Sequence, residues 1–238
     1  MKKKNNIILV TGGTGRFAKC LKKITSRYKF IYPSKNIFDI TNTKKMEKYL
    51  TKIKPRSVLH LAGLSRPMYI HDKEINKSIN LNIIGTANIV KICSELSIKL
   101  IYFSTSYVYP GTIGNYKETD PLLPFNSYAW SKLGGESSVQ MYKNSLILRV
   151  CMTEKPFVHK KAFADVKSNF IFHDDLAKIL IKILEKKGVI NIGGPSKTIY
   201  NFAKKYNSKV KKIFLKKQTK IVLGKNSSMN LSKLKKII

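Results

Sequence analysis

Cysteine, arginine and acidic residues are all scarce in this chain, and each scarcity excludes something. The 3 cysteines, Cys20, Cys93 and Cys151, are odd in number and far apart. That excludes a disulfide framework and the paired spacing of a zinc site. Cys20 and Cys93 fall on apolar positions of helical segments, where a packed thiol is expected. Arginine stands only at Arg16, Arg27, Arg56, Arg66 and Arg149. A nucleic-acid binder gathers positive charge on one face and reads phosphates with arginine forks. Here lysine runs along the chain beside abundant isoleucine and asparagine, so no specific nucleic-acid partner is expected. Acids number 13 against 46 basic residues, a formal charge of +33. A solvated lysine surface of that kind draws in anionic ligands and binds polyanions weakly, in a salt-sensitive way. No apolar run is long enough to span a membrane. Met1-Lys2-Lys3-Lys4 resembles a signal start, but the apolar run Ile7-Ile8-Leu9-Val10 is too short for one. The expectation is a cytoplasmic protein. His60, His71, His159 and His173 show no ligand spacing, so no metal site is expected. His60, inside an apolar strand, reads as a packed core histidine.

What is present is enough apolar residue, 43% of 238, for one domain with a small lobe. Short apolar runs alternate with helical patterns: strands at Asn6 to Thr11, Phe30 to Tyr32, Ser57 to Ala62, Leu100 to Ser104 and Leu146 to Val150. Helices are expected at Thr14 to Ile24, at Thr43 to Ile53, from a cap at Asp72 to Leu96, and from Asn126 onward. Continuous apolar strands alternating with helices indicate an α/β fold with a parallel sheet covered on both faces. Residues 110–124, rich in Gly, Pro, Asp and Asn, form a loop long enough to be functional. After Cys151 the rhythm breaks into an irregular stretch to Ser168. A short strand Phe170 to Phe172 follows, then a helix capped by Asp174 or Asp175 to Lys187, a strand Val189 to Ile192, a helix Ile199 to Tyr206 and a basic tail ending in a helix, Leu231 to Ile238. The division expected is a nucleotide-binding domain over 1–150 and a small substrate-binding lobe over 151–238, packed at the C-terminal edge of the sheet, where open parallel sheets bind ligands.

Three patterns carry chemistry together. The first strand runs into Thr11-Gly12-Gly13-Thr14-Gly15, where Gly12 and Gly15 let the backbone turn tightly against a pyrophosphate at a helix N-terminus. Ala18 stands in place of a third glycine. The fourth strand ends in Ser104-Thr105-Ser106, and Tyr128 and Lys132 lie four apart on a helix, hence on one face. A phenol titrates near pH 10, so it exchanges protons at neutral pH only with a cation beside it. Lys132 supplies that cation, Thr105 bonds the substrate oxygen, and hydride passes to or from a nicotinamide. Tyr69/Lys73 and Tyr200/Lys204 share the spacing but lack these neighbours, so they are read as carrying no chemistry. The second strand ends in Tyr32-Pro33-Ser34-Lys35, without the acid that holds ribose hydroxyls in NAD-binding folds. With Arg16 in the glycine turn, this favours NADP(H), with NAD(H) as the alternative. Asp39 serves either the adenine amino group or a turn. Tyr107 and Tyr109 either wall a sugar site or pack. Arg66 and Arg149 fork to a substrate diphosphate or make structural ion pairs.

The runs Thr11 to Gly15, Leu59-His60-Leu61-Ala62-Gly63, Asn82-Ile83-Ile84-Gly85-Thr86, Ser104 to Tyr109, and Tyr128 to Lys132 with Glu136 resemble the extended short-chain dehydrogenase/reductase family, in family order over residues 5–150. The resemblance implies a Rossmann-type doubly wound sheet and a catalytic set of Thr105, Tyr128 and Lys132. It implies a cofactor lying along Gly12, Gly15, Arg16 and Phe17, then Asp39 and Ile40, then Leu61, Ala62 and Gly63. Asn82 orders the site from within its helix. Ser106, Tyr107, Arg66 and Arg149 are the expected substrate contacts beside Thr105. The runs Phe170 to Ala177, Asn191 to Gly194 and Asn226 to Asn230 are similar to the dTDP-4-dehydrorhamnose reductase-like branch. That branch implies NAD(P)H-dependent reduction of a nucleotide-linked 4-keto-6-deoxyhexose, and the family pairs as homodimers through long helices. An epimerase and a non-catalytic binding subunit are the alternatives. A dehydratase would need carboxylates after Thr105, and Ser106-Tyr107 offers none.

Overall fold

The computed structural model describes residues 5–215 and 222–238. Residues 1–4, with the lysines of the signal-like start, and 216–221 of the basic tail lie outside the described residues. Six strands form the central sheet: β1 (Ile7–Thr11), β2 (Lys29–Ile31), β3 (Ser57–His60), β4 (Lys99–Thr105), β5 (Ser145–Val150) and, later in the chain, β10 (Gly188–Ile192). Their order is β10-β5-β4-β3-β1-β2, and β1 runs parallel to β2 and β3, as β3 does to β4. Leu9, Val10, Val58, Leu59, Leu100, Ile101, Leu146 and Leu148 are all buried, as strands covered on both faces require. The chain reverses direction across the sheet between β1 and β3, and the glycine turn leaves β1 at that switch point.

Helix α1 (Arg16–Leu21) is shorter than the apolar pattern suggested, and α2 (Thr43–Ile53) matches it. Asn42 starts α2 by accepting from the Lys45 N–H at 3.0 Å. The single long helix expected from Asp72 is four pieces: α3 (Ile70–Lys73), α4 (Ile75–Ser78), a π-helical turn Ile79–Ile84 and α5 (Gly85–Glu95). Asp72 sits in the first turn of α3, whose N-cap is Tyr69; Glu74, at φ −120° and ψ 60°, breaks the run. Helix α6 spans Ser127–Gln140. In α7 (His173–Ile183), Asp174 and Asp175 are first-turn residues rather than caps, placed where acids favour the helix dipole.

The stretch after Cys151 is more regular than expected. It holds β6 (Met152–Thr153), β7 (Lys161–Phe163), β8 (Lys167–Ser168) and β9 (Ile171–Phe172), with β11 (Lys197–Thr198), α8 (Ile199–Tyr206), β12 (Lys211–Ile213) and α9 (Ser232–Lys235) further on. These strands pair as β6–β9, β7–β12 and β8–β11. Partners of two or three residues, far apart in sequence, leave no periodic trace.

Two compact units result: residues 1–103, 131–147 and 184–188, and residues 104–130, 148–183 and 189–238. The loop after β4 folds with the late segments: Tyr116 N donates to Ser228 O at 3.0 Å, and Asn226 N to Gly111 O at 2.8 Å. The chain changes unit inside β4 and inside α6, so Thr105 and Tyr128 belong to the second unit and Lys132 to the first. Among the described residues, no helix is long and apolar enough to cross a membrane.

Candidate active site

In the first unit the glycine turn is shaped by backbone contact. Gly12 has φ +67°, and a Cβ there would come 2.8 Å from Ala62 N, so only glycine lets the turn after β1 touch the end of β3. Gly15 is the N-cap of α1, with no side-chain cap and no acid in the first turn. The first N–H groups and the helix dipole there suit a phosphate. Arg16, exposed, is the first helical residue. Phe17 turns inward, its ring 5.0 Å from that of Phe103, and Ile40 is buried against Gly85. The side chains of both residues are thus taken up in packing. The Asp39 carboxylate accepts from Thr41 N at 2.9 Å and from its hydroxyl at 2.7 Å. The Thr41 N–H, then its hydroxyl and the Lys35 and Lys45 charges hold that carboxyl below its ordinary range, against some burial. The turn role is therefore the one seen. At the end of β2, where an acid was absent from the sequence, Tyr32 lies against Gly13, and burial raises its phenol to about 12.

A hydrogen-bond chain ties these turns together. Thr11 Oγ1 accepts from Leu61 N at 3.1 Å and Ala62 N at 2.9 Å, and meets His60 Nδ1 at 2.8 Å. His60 Nε2 meets Thr86 Oγ1 at 3.1 Å, and Thr86 donates to Asn82 O at 2.8 Å. Since the Thr86 proton is committed to Asn82, His60 must donate from Nε2 and accept at Nδ1. Burial, with the Lys132 charge, pulls His60 down to about 3, so the ring is neutral as that chain requires. It is the packed histidine its place in the strand suggested.

The π turn presents Asn82. Its Oδ1 accepts from Leu64 N at 2.7 Å, and its Nδ2 donates to Leu64 O at 2.9 Å and Ser131 Oγ at 2.8 Å. It therefore fixes the loop beyond Gly63 to the turn of α6 that carries Lys132. Gly135 makes the approach possible: a Cβ there would come 2.8 Å from the Tyr102 hydroxyl and 3.1 Å from Thr86 Oγ1, and closer still to Asn82 O. Sequence reasoning did not single out Ser131, Thr86 or Gly135. Of these only Ser131, adjacent to Lys132, gave a signal that could have been followed. The Lys132 ammonium lies 4.1 Å from the Tyr102 ring centroid, a cation–π distance. Burial lowers it to about 7, with Glu136 pulling the other way.

In the second unit Thr105 closes β4 and caps the turn Ser106–Val108, accepting from Tyr107 N at 3.3 Å. With that acceptor site occupied, the Thr105 hydrogen is directed elsewhere. Tyr107 packs between Phe125, at 5.1 Å, and Tyr128, at 6.3 Å and 85°, so its ring helps to hold the Tyr128 ring on edge. Tyr128 and Lys132 are one turn apart on α6, as expected. Ser106 is buried.

Arg149 corrects an expectation. It is 2% exposed, donates to the Tyr109 hydroxyl at 2.8 Å and to Glu118 O at 3.0 Å, and lies 5.0 Å from the Tyr109 ring centroid. A guanidinium enclosed in this way braces the loop after β4, which is nearer the structural role than the diphosphate role of the two expected for it. Tyr109 stacks on Tyr116 at 4.9 Å and 5° and donates to Asn191 at 2.9 Å, so it packs rather than walling a sugar. Arg66 is exposed, in the loop after Gly63. The other two tyrosine–lysine pairs are local cation–π contacts, 5.3 Å at Lys73/Tyr69 and 5.9 Å at Lys204/Tyr200. Cys93 and Cys151 are buried, and Cys20 only partly so.

Comparison with known proteins places these observations. The family model described as RmlD substrate binding domain matches residues 6–162. A dTDP-4-dehydrorhamnose reductase of Aggregatibacter actinomycetemcomitans is 23% identical over 227 residues, 91% of this chain and 69% of that protein. Methionine adenosyltransferase 2 subunit beta of Xenopus laevis is 27% identical over 152 residues, 60% of this chain but 45% of its own length. The crystal structure of a Bacillus anthracis dTDP-4-dehydrorhamnose reductase in complex with NADP superposes with a TM-score of 0.86 at 21% identity, covering 99% of this chain and 92% of the other.

Proposed function

Because this chain belongs to the family described as the RmlD substrate binding domain, we propose that it reduces a nucleotide-linked 4-keto-6-deoxyhexose with NADPH. The observation that carries this reading is Tyr128 one helical turn before Lys132 on α6, downstream of a β4 that ends in Thr105. The cofactor fits the residues present: an uncapped α1 N-terminus at Gly15 for its phosphates, Arg16 and no acid at the end of β2, and the Ala62–Gly63 turn brought against Gly12. When bound, the reduced nicotinamide supplies the hydride. Thr105, its oxygen engaged by the Tyr107 N–H, directs its hydrogen to the substrate carbonyl oxygen. Tyr128 gives that oxygen its proton as negative charge develops. Lys132 favours the phenolate that results. With an ammonium near neutrality, Lys132 gains charge when an anionic dinucleotide binds beside it, so cofactor binding prepares the proton donor. Ser106 offers no carboxylate to remove a proton from the sugar carbons, which leaves reduction without dehydration. The second unit carries the sugar nucleotide. NADP(H) is preferred over NAD(H), two copies pair through long helices, and the protein works in the cytoplasm.

The test is NADPH absorbance with an enzymatically generated nucleotide-linked 4-keto-6-deoxyhexose. One NADPH consumed per keto-sugar, lost in Tyr128→Phe while NADPH binding persists by fluorescence, is the expected result. Sugar isomers without net NADPH loss would mean an epimerase instead. A second reading rests on the match to methionine adenosyltransferase 2 subunit beta, namely a non-catalytic binding subunit. NADPH binding with no turnover across a panel of keto-sugars would favour it.

A further inference from the structure

One lobe of the second unit carries charge that the proposed chemistry does not use. Strands β7 and β12 pair in parallel, with Lys211 opposite Lys161, and α8 packs over them through a small core of Phe157, Ala162, Phe163, Val166, Ile199, Ala203 and Val210. Residues 155–167 and 199–215 contain 9 lysines, all exposed, against one acid, Asp165. Both oxygens of that acid are turned to the Leu215 N–H, at 2.9 and 3.0 Å. The late chain adds to this, since from residue 186 to residue 238 there is no Asp or Glu at all. Facing strands lie about 4.8 Å apart, so Lys161 and Lys211 are like charges held side by side, an arrangement that weakens the fold unless something anionic covers it.

The chemistry of the lobe narrows the partner. It contains no arginine, and arginine is the residue that forks to nucleic-acid phosphates and bases. It does expose apolar side chains among the lysines: Val158 at 54%, Tyr206 at 40% and Phe214 at 41%. Lys212 Nζ stands 5.7 Å from the Tyr200 ring and 5.6 Å from the Phe214 ring. Diffuse lysine charge around protruding aromatic and aliphatic groups is the composition that sits at the headgroup level of an anionic bilayer.

We propose that the β7–β12–α8 lobe docks this protein peripherally on an anionic phospholipid surface, with Lys161, Lys204, Lys205, Lys211 and Lys212 at the headgroups and Phe214 and Val158 at the acyl boundary. The inference is independent of the reductase reading, since vesicle binding needs no substrate. The experiment is co-sedimentation of the full chain with phosphatidylglycerol/phosphatidylcholine vesicles and with phosphatidylcholine alone. The expected result is binding only to the anionic vesicles, weakened by salt. Replacing Lys204, Lys205, Lys211 and Lys212 by Gln should lower the partition constant about 1,000-fold, given the contribution of each basic residue near such a surface. Replacing the exposed Lys44, Lys45, Lys48 and Lys52 of α2 by Gln should change it less than about threefold on the same scale. Phe214→Ser with Val158→Ser should lower it about tenfold. NADPH binding and circular dichroism report folding of each variant. Absence of anionic-vesicle binding overturns the proposal, as does an equal loss in the α2 variant, which would make the charge effect diffuse. Displacement from vesicles by a single-stranded oligonucleotide that binds the same lysines more tightly overturns it in favour of nucleic acid.

Discussion

The two units hold their candidate site residues in different ways. In the first, a buried parallel sheet sets the positions, and one chain of hydrogen bonds through Thr11, His60, Thr86, Asn82 and Ser131 joins the glycine turn to the helix carrying Lys132. In the second, strands of two or three residues leave many backbone groups without a ladder, and asparagine side chains take their place. Asn191 Nδ2 donates to Tyr116 O at 2.9 Å while its Oδ1 accepts from Tyr109. Asn169 donates to Gly194 O at 2.8 Å and accepts from Met229 N, and Asn226 donates to Ile113 O at 2.9 Å. A sheet fixes geometry through many equivalent bonds. The second unit depends on fewer bonds, several of them made by single asparagine side chains.

The contrast can be broken or sharpened by substitution. The largest effect is expected from Tyr128→Phe, which removes the proposed proton donor and should lower kcat about 1,000-fold with NADPH affinity nearly unchanged by fluorescence titration. Gly135→Ala puts a methyl group against Asn82 and Tyr102 in the first unit, and urea unfolding should show a loss of about 3 kcal/mol. His60 offers a pH test. Its folded value near 3 lies below the unfolded value, so the unfolded chain takes up a proton first as the medium is acidified. Stability falls as pH drops through the unfolded value of about 6.5, by about 2 kcal/mol between roughly pH 7.5 and 5. Chemical denaturation of His60→Gln beside the parent should show that this part of the slope is gone. In the second unit, Asn191→Ala removes the acceptor of the buried Tyr109 hydroxyl and a donor to Tyr116 O and should cost about 2 kcal/mol by thermal unfolding. An equal loss of NADPH affinity in that variant would blur the distinction between the units. The smallest effect is Glu185→Gln. Burial opposes ionisation there, but bonds from Arg56, at 2.6 and 3.0 Å, and Tyr28, at 2.7 Å, hold the carboxyl near 2. Because its side chain is 42% exposed, solvent screening limits the loss to about 1 kcal/mol. That contribution is present above the unfolded carboxyl value and fades as pH falls towards 2.

The strands of the central sheet and the helices α2 and α8 were legible in the sequence because apolar periodicity reports burial directly. The Thr105, Tyr128 and Lys132 pattern was legible because strand ends and helical spacing are local. Thr86 and Gly135 were not, since a threonine that fixes a tautomer and a glycine that admits a neighbouring carbonyl are defined by partners 26 and more residues away. Arg149 misled for a related reason. Its rarity suggested a ligand, and only the fold shows Tyr109 and Glu118 closed around it. The lysine-bearing strands β7 and β12 are too short and too polar to announce themselves.

The π turn at Ile79–Ile84 bears on how the chain can vary in length. It closes its bonds one residue later than an α-helix does. Removing one of its six residues would let it rewind as ordinary helix with α5 still in phase, because the wider turn takes up the rotation of one residue, about 100°. Ile89, Ile92 and Cys93, all buried on α5, would keep their facing, whereas Asn82, inside the turn, would lose its aim at Leu64 and Ser131. The wide turn is therefore a place where the chain can shorten by one residue without turning α5, at the expense of the Asn82 contacts.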